Sequence, residues 1–172
     1  VSKRALIVVL VGVAAGLWLR WYLSPEQVIR RSFVAAVEAF EGERLLAVMA
    51  VFDRGYRDSW GHDYESLGGI FAAAFDELDA VDVDVSELDV TVDGEIARSS
   101  LRFVVSGAAD GAEGLLFGEP SRPCTATLEW AKRPQGWRIT TTSRLDIPEL
   151  RDELDAARAG SPDPAANRGP GG

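Results

Sequence analysis

The sequence predicts an α+β domain: three N-terminal helices packed on a curved antiparallel sheet that forms a cone, preceded by one transmembrane helix. Three observations predict it. Apolar residues recur at helical spacing from Ser24 to Leu78, the period changes to alternation from Ala80 onward, and tight turn signals separate the alternating runs. With 172 residues and 47% of them apolar, the chain is long enough for one domain with a core plus extra segments. These divide as an anchor or signal-like segment at 1–23, the cone domain at 24–149, and a short charged helix with a disordered tail at 150–172.

The first segment, "VSKRALIVVLVGVAAGLWLRWYL", is uncharged from Ala5 to Leu19. That run spans only ~22 Å as a helix, and extension to Leu23 brings it to ~28 Å of a ~30 Å hydrocarbon core. Arg20 can then snorkel, and Trp18, Trp21 and Tyr22 form an aromatic belt. A cleaved signal peptide ending near Ala14 and Gly16 competes, but an aromatic belt serves only a retained helix. A buried core helix fits worst, because the run has no polar face. The expectation is a single-pass anchor through residues 5–23. Lys3 and Arg4 before the run are rivalled by Arg20, Arg30 and Arg31 after it; the short basic N-terminus resembles an export signal, so an extracytoplasmic domain is expected.

"SPEQ" opens the first helix, with Ser24 as N-cap, Pro25 at the first helical position and Gln27 placed for a capping box. Ile29, Phe33, Ala36, Val37 and Phe40 form its apolar stripe, and Glu41-Gly42 ends it. A second helix is expected over Glu43 to Phe52, with Leu45, Leu46, Met49 and Phe52 on one side. A third begins after Asp63, a good N-cap, and presents Leu67, Phe71, Ala74, Phe75 and Leu78. In the first strand the alternation falls on odd positions at Val81, Val83 and Val85 and on even ones at Leu88, Val90 and Val92, which requires a bulge or break at Ser86-Glu87. Asp93-Gly94 turns into a strand from Glu95 to Ser106. Strands Cys124 to Lys132 and Trp137 to Ile147 flank the turn "RPQG".

This order, together with the connection "DRGYRDSWGHD" between the second and third helices, resembles the nuclear transport factor 2-like superfamily, which includes ketosteroid isomerase, scytalone dehydratase and polyketide-cyclase-like proteins. The resemblance covers Ser24 to about Glu149 and implies a cone whose members range from enzymes to binding modules.

In such a cone the chemistry sits on the faces that meet the helices. Alternation assigns to them Ala97, Ser99, Leu101, Phe103 and Val105, then Cys124, Ala126, Leu128 and Trp130, then Trp137, Ile139, Thr141, Ser143, Leu145 and Ile147. None is charged, so the sheet supplies no cavity acid or base. With Phe33, Tyr56 and Trp60, the residues Ser99, Leu101, Phe103, Leu128, Trp130, Ile139 and Thr141 are the expected lining of a pocket for a small apolar ligand.

The remaining catalytic candidates are His62 and Asp58. They could form an acid/base pair beside Tyr56, serving a dehydratase, isomerase or hydrolase. The plainer reading makes each residue structural: Asp63 caps a helix, His62 precedes the cap on the surface, and Asp58 bonds to backbone in the turn. A histidine without a second fixed partner is not a catalytic constellation, so a non-catalytic binding or interaction module is the first expectation and the enzyme the alternative. A third is a scaffold component of an envelope assembly.

One histidine, the single Cys124 and scattered carboxylates match no metal spacing, and no cofactor is expected. The net charge of −9, from 27 acids against 18 bases, gives no footprint for nucleic acid. The outer sheet face, with Arg98, Arg102, Arg138, Thr140, Thr142 and Arg144, is a solvated surface or a contact for a protein partner or a second copy, since arginine is enriched at interfaces. The resemblance likewise implies pairing through that sheet. The stretch from Ser106 to Ser121 reads as a long hairpin tip or a lid carrying Leu115, Leu116 and Phe117.

Overall fold

A computed structural model describes residues 15, 16, 18–109 and 112–152. Three helices, α1 (Pro25–Glu41), α2 (Leu45–Met49) and α3 (Tyr64–Glu77), precede five strands. These are β1 (Leu78–Asp93), β2 (Ile96–Ala109), β3 (Ala112–Phe117), β4 (Cys124–Arg133) and β5 (Gly136–Asp146). The strands form one antiparallel sheet in the order β1-β2-β4-β5, with β3 paired to β2. Besides these three, residues 148–152 are helical, and the rest of the expected C-terminal helix and tail lies outside the described residues. Ala15, Gly16 and Trp18 to Tyr22 are helical, and the rest of the expected anchor lies outside the described residues. Among the described residues no helix is long and apolar enough to cross a membrane.

The Ser24 hydroxyl accepts from the Gln27 amide at 3.4 Å, and Pro25 opens α1. Ile29 and Phe33 are buried in the core, but Ala36, Val37 and Phe40 are only partly covered because they face a cavity. Helix α2 is shorter than expected. Glu43 holds φ at +54°, which no helix accommodates, and Leu46 is 87% exposed while Val48 and Met49 take the buried side. Helix α3 starts on a reciprocal cap: Ser66 donates its amide to the Asp63 carboxylate at 3.0 Å, and the Asp63 amide donates to the Ser66 hydroxyl at 2.8 Å.

In β1 the register shifts between Val85 and Glu87, where the alternation changes phase, and again between Asp79 and Asp82. The expected loop from Ser106 to Ser121 instead contains β3, which pairs Leu115 with Ser106 and Phe117 with Val105. Glycines at 107, 111 and 114 hide the alternation there. The lid gives way to a hairpin arm.

The inner faces of β2 and β4 fall as alternation predicts, but β5 does not keep its phase. Leu128 pairs with Thr142 and Thr127 with Arg144, leaving Ser143 as an extra residue; Trp130 pairs with Ile139 and Glu129 with Thr141, leaving Thr140 extra. The two bulges turn Thr142 towards the helices and Thr141 towards the outer face, the reverse of the expected assignment.

Parts of the β5 and β1 edges find partners. The segment Val51–Arg57 lies along β5, with the Ile139 amide donating to Val51 O at 2.9 Å and the Asp53 amide to Ile139 O at 2.8 Å. Along β1, α1 supplies side chains: the Val83 amide donates to Glu41 Oε1 at 3.0 Å, and the Arg30 guanidinium donates to Leu88 O. These contacts satisfy edge groups that would otherwise template another strand. Replacing Arg30 and Glu41 together by alanine is expected to cost about 1–3 kcal/mol and to promote association on warming, read by thermal denaturation with light scattering.

Candidate functional site

The helices and the inner sheet face enclose a cavity of about 550 Å³. Its wall is apolar: Phe33, Phe40 and Phe71 from the helices, with Leu101, Phe103, Leu128 and Ile139 from the sheet. At the end of the sheet near the β1–β2 turn the space is filled, because Trp130 and Ser99 are buried there and Trp130 Nε1 donates to Ser99 Oγ at 2.9 Å. Ser99 and Trp130 are thus core residues and not part of the lining. Thr142 takes the lining position expected of Thr141.

One polar cluster interrupts the wall, built by the segment from Asp53 to Asp63. The Asp53 carboxylate accepts from the Gly55 amide at 2.8 Å and pairs with Arg133 at 2.6 Å, which fixes the start of the segment. Hydrogen bonding to Arg133, then to Gly55, holds the Asp53 carboxyl below its ordinary range. The Arg57 amide donates to Thr140 O at 3.1 Å, fastening the middle to β5. Tyr56, 2% exposed, donates its hydroxyl to Thr142 Oγ1 at 2.9 Å. Between Asp58 and His62 the chain makes a closed turn: the Asp58 amide donates to His62 O at 3.0 Å, and Gly61 supplies the positive φ, +93°.

Asp58 does two things in that turn. Its Oδ1 accepts the amides of Trp60 at 2.9 Å and His62 at 2.8 Å, the backbone role expected for it. Its Oδ2 lies 2.8 Å from His62 Nδ1. Burial disfavours the charged carboxylate, but the donors from His62 and Trp60 outweigh it and hold the carboxyl below its ordinary range. Asp58 is therefore an ionised acceptor at neutral pH, so His62 carries its proton on Nδ1 and presents Nε2 as a lone pair when the ring is neutral.

The sequence places His62 on the surface without a fixed partner. In the structure both His62 and Asp58 line the cavity, the Asp58 side chain 4% exposed and the His62 side chain 41% exposed at the rim. The second fixed partner is the carboxylate four residues upstream. Tyr56 stays protonated beside them, since burial pushes its hydroxyl up, and the Asp58 carboxylate adds to that push. It is a donor and not a base.

Among the described residues no lysine or arginine lines the cavity. Cys124 is fully buried, and burial pushes its thiol up to about 11, so it supplies no thiolate. Among the described residues no three potential metal ligands gather. On the outer face Arg98 pairs with Glu129 at 3.1 Å and Arg102 with Glu87 at 3.5 Å, while Arg138 and Arg144 lie on the same face.

No protein-family model matches the chain, and no curated protein does either. Solved structures do. A nuclear transport factor 2-like superfamily protein from Salmonella enterica Typhimurium is 13% identical over 72% of this chain and 91% of its own, with a TM-score of 0.61. A nuclear transport factor 2-like protein with a cystatin-like fold from Novosphingobium aromaticivorans is 19% identical over 87% and 95%, with a TM-score of 0.60. A protein from the same organism, provisionally described as a scytalone dehydratase, is 10% identical over 70% and 82%, also at 0.60. The chain thus shares the cone fold of the nuclear transport factor 2-like proteins.

Proposed function

We propose that the protein is an acid/base enzyme acting on a neutral, largely apolar small molecule held in the cone, with His62 as the base. The observation that carries this reading is the 2.8 Å contact between Asp58 Oδ2 and His62 Nδ1 at the rim of an apolar cavity. His62 Nε2 removes a proton from a substrate carbon next to a carbonyl. The imidazolium that forms is stabilised by the ionised, largely buried Asp58. Tyr56, released from Thr142, donates its hydroxyl to the carbonyl oxygen as charge develops there. Return of the proton to another carbon completes an isomerisation; its delivery to a departing hydroxyl completes a dehydration. The apolar wall and the absence of cations among the lining residues favour an uncharged substrate, because an anion would meet Asp58 with no counter-charge.

The test is proton exchange. Neutral enolisable aryl and alicyclic ketones in deuterated buffer are followed by NMR for loss of the α-proton. The reading expects protein-dependent exchange that disappears in His62→Ala. Binding of these ketones with exchange at the solvent rate throughout would leave the non-catalytic binding module, which the uncharged sheet wall of the cone supports. Leu128→Trp is expected to fill the cavity and abolish both exchange and ketone binding, with the melting temperature within a few degrees of the unsubstituted chain. An envelope scaffold calls for a filled cone, and the cavity counts against it.

The same proposal keeps residues 5–23 as a membrane anchor with the cone domain on the extracytoplasmic side. The exposure of Trp18, Leu19, Trp21 and Leu23 beside the domain supports it, since none of the four finds cover there. Retention in the membrane fraction after a high-salt wash is the expected result.

A further inference from the structure

The chain enters the cone at its closed end. Helix α1 lies along β1, with the Arg30 guanidinium on Leu88 O near its start and Glu41 Oε1 on the Val83 amide at its end. Its 17 residues span ~25 Å. The start therefore lies towards the β1–β2 turn, where Trp130 and Ser99 fill the space, and only Phe33, Ala36, Val37 and Phe40 further along reach the cavity. Strand β5 runs the same way: Arg138 pairs with Ala131, which pairs with Ile96 at that turn, and Leu145 near the strand's end lines the cavity. The rim, with Leu145 and the Asp58–His62 turn, is thus at the far end from Ser24.

We infer that the junction before α1 is a clamped elbow that seats the closed end of the cone on the membrane surface and turns the rim away from the bilayer; this rests on the reading of residues 5–23 as an anchor. Leu23 and Ser24 alone separate two helical segments. The Leu23 amide donates to Leu19 O at 2.9 Å and the Ser24 amide to Trp21 O at 3.1 Å, but the Ser24 ψ of 145° breaks the helix before α1 begins. Across that break Arg31 reaches back. Its Nη1 donates to Tyr22 O at 2.8 Å, and its guanidinium lies 4.0 Å over the Tyr22 ring, which stacks on Trp18 at 5.2 Å with 17° between the planes. A swing at Ser24 would break the hydrogen bond and the cation–π contact together. Trp18, Trp21 and Leu23 stay exposed around this ladder, directly after the uncharged run, which is where a bilayer interface takes up aromatic side chains.

Charge divides the molecule the same way. At the closed end, segments 18–31, 53–54, 93–96 and 131–138 carry seven bases against four acids, on a chain whose net charge is −9. Between Arg57 and Arg98 there is no lysine or arginine, and α3 with the start of β1 contributes Glu65, Asp76, Glu77 and Asp82 towards the other end. A layer of anionic headgroups therefore attracts the closed end and repels the rest. The consequence concerns the ligand. With the rim held away from the bilayer, an apolar molecule enters the cavity from the aqueous phase and not by lateral diffusion out of the lipid, which confines the substrate to molecules with some solubility in water.

The test puts a thiol-reactive dye at either end of the full chain, reconstituted in vesicles of phosphatidylcholine and phosphatidylglycerol with a headgroup-spin-labelled lipid as short-range quencher. Gln135→Cys, in the β4–β5 turn, reports on the closed end, and Ser59→Cys, beside Trp60, on the rim. Both positions are exposed, whereas Cys124 is fully buried and leaves the unsubstituted chain unlabelled. Quenching about threefold stronger at Gln135→Cys than at Ser59→Cys is expected. Adding Arg31→Ala or Tyr22→Ala is expected to cut that ratio at least by half, because the freed domain tumbles about Ser24; circular dichroism checks that each variant folds. Equal quenching at the two positions, or stronger quenching at Ser59→Cys, would overturn the orientation. A ratio that neither substitution moves would overturn the clamp. Protein that fails to float with the vesicles would overturn the anchor reading and the elbow with it, and flotation separates that outcome from the other two.

Discussion

His62→Ala is expected to lower turnover about 10²–10⁴-fold while leaving ligand affinity nearly unchanged, because the imidazole stands at the rim and the apolar wall does the binding. Asp58→Asn is expected to match it, for a reason written into the turn. The asparagine oxygen can keep the two amides of Trp60 and His62, so the fold of the turn survives. Its amide nitrogen then replaces Oδ2 beside His62 Nδ1 and donates to it, which drives the ring proton onto Nε2 and removes the lone pair that faces the substrate. Loss of activity with retained binding and an unchanged melting temperature is the signature. Equal loss of binding in both variants would instead make the pair part of the ligand's anchorage.

The largest stability effect is expected at Trp130. The residue is 1% exposed, and Trp130→Ala should cost about 3–5 kcal/mol in urea unfolding. Trp130→Phe is the finer probe. It keeps most of the ring volume but strands the buried Ser99 hydroxyl, whose partner is the indole N–H at 2.9 Å, at a cost of about 1–3 kcal/mol beyond the lost volume. Adding Ser99→Ala to Trp130→Phe should recover part of that loss, and a fully additive loss would show that the hydroxyl finds another partner.

Local rules made much of the fold legible. The Ser24 and Asp63 caps, the bulge beside Ser86 and the turn at Asp93-Gly94 are short-range chemistry, and all lie where the residues place them. Alternation likewise found the inner faces of β2 and β4, because each keeps one phase where the two strands pair. It failed in β5, where Thr140 and Ser143 bulge without a glycine or proline to mark them, and so exchanged the roles of Thr141 and Thr142. It also failed at α2, which a positive φ at Glu43 shortens, and at β3, hidden among glycines.

The candidate site was legible as residues but not as an arrangement. His62 and Asp58 stand four positions apart, a spacing that fits a surface turn as well as a joined pair. What joins them is the closed turn around Gly61, which aims Oδ2 at Nδ1, and the strap of Val51–Arg57 along β5, which carries the turn to the cone's rim. The strap depends on long-range pairing with Ile139 and Thr140, which no local pattern encodes. A signal was present nonetheless: an aspartate, a glycine and a histidine within five residues, immediately before a helix cap.

The proposed base, His62, is oriented by Asp58, and its state can be read directly because it is the only histidine of the chain. Every imidazole resonance therefore belongs to that ring. Two-bond nitrogen–proton correlation spectra, recorded across the titration of the folded protein, distinguish the two neutral tautomers. The neutral ring is expected to carry its proton on Nδ1, with Nε2 bare, and Asp58→Asn is expected to reverse this. A ring with its proton on Nε2 in the unsubstituted protein, or one that averages both tautomers as a free imidazole does, would contradict the assignment and leave the cone as a binding site without a base.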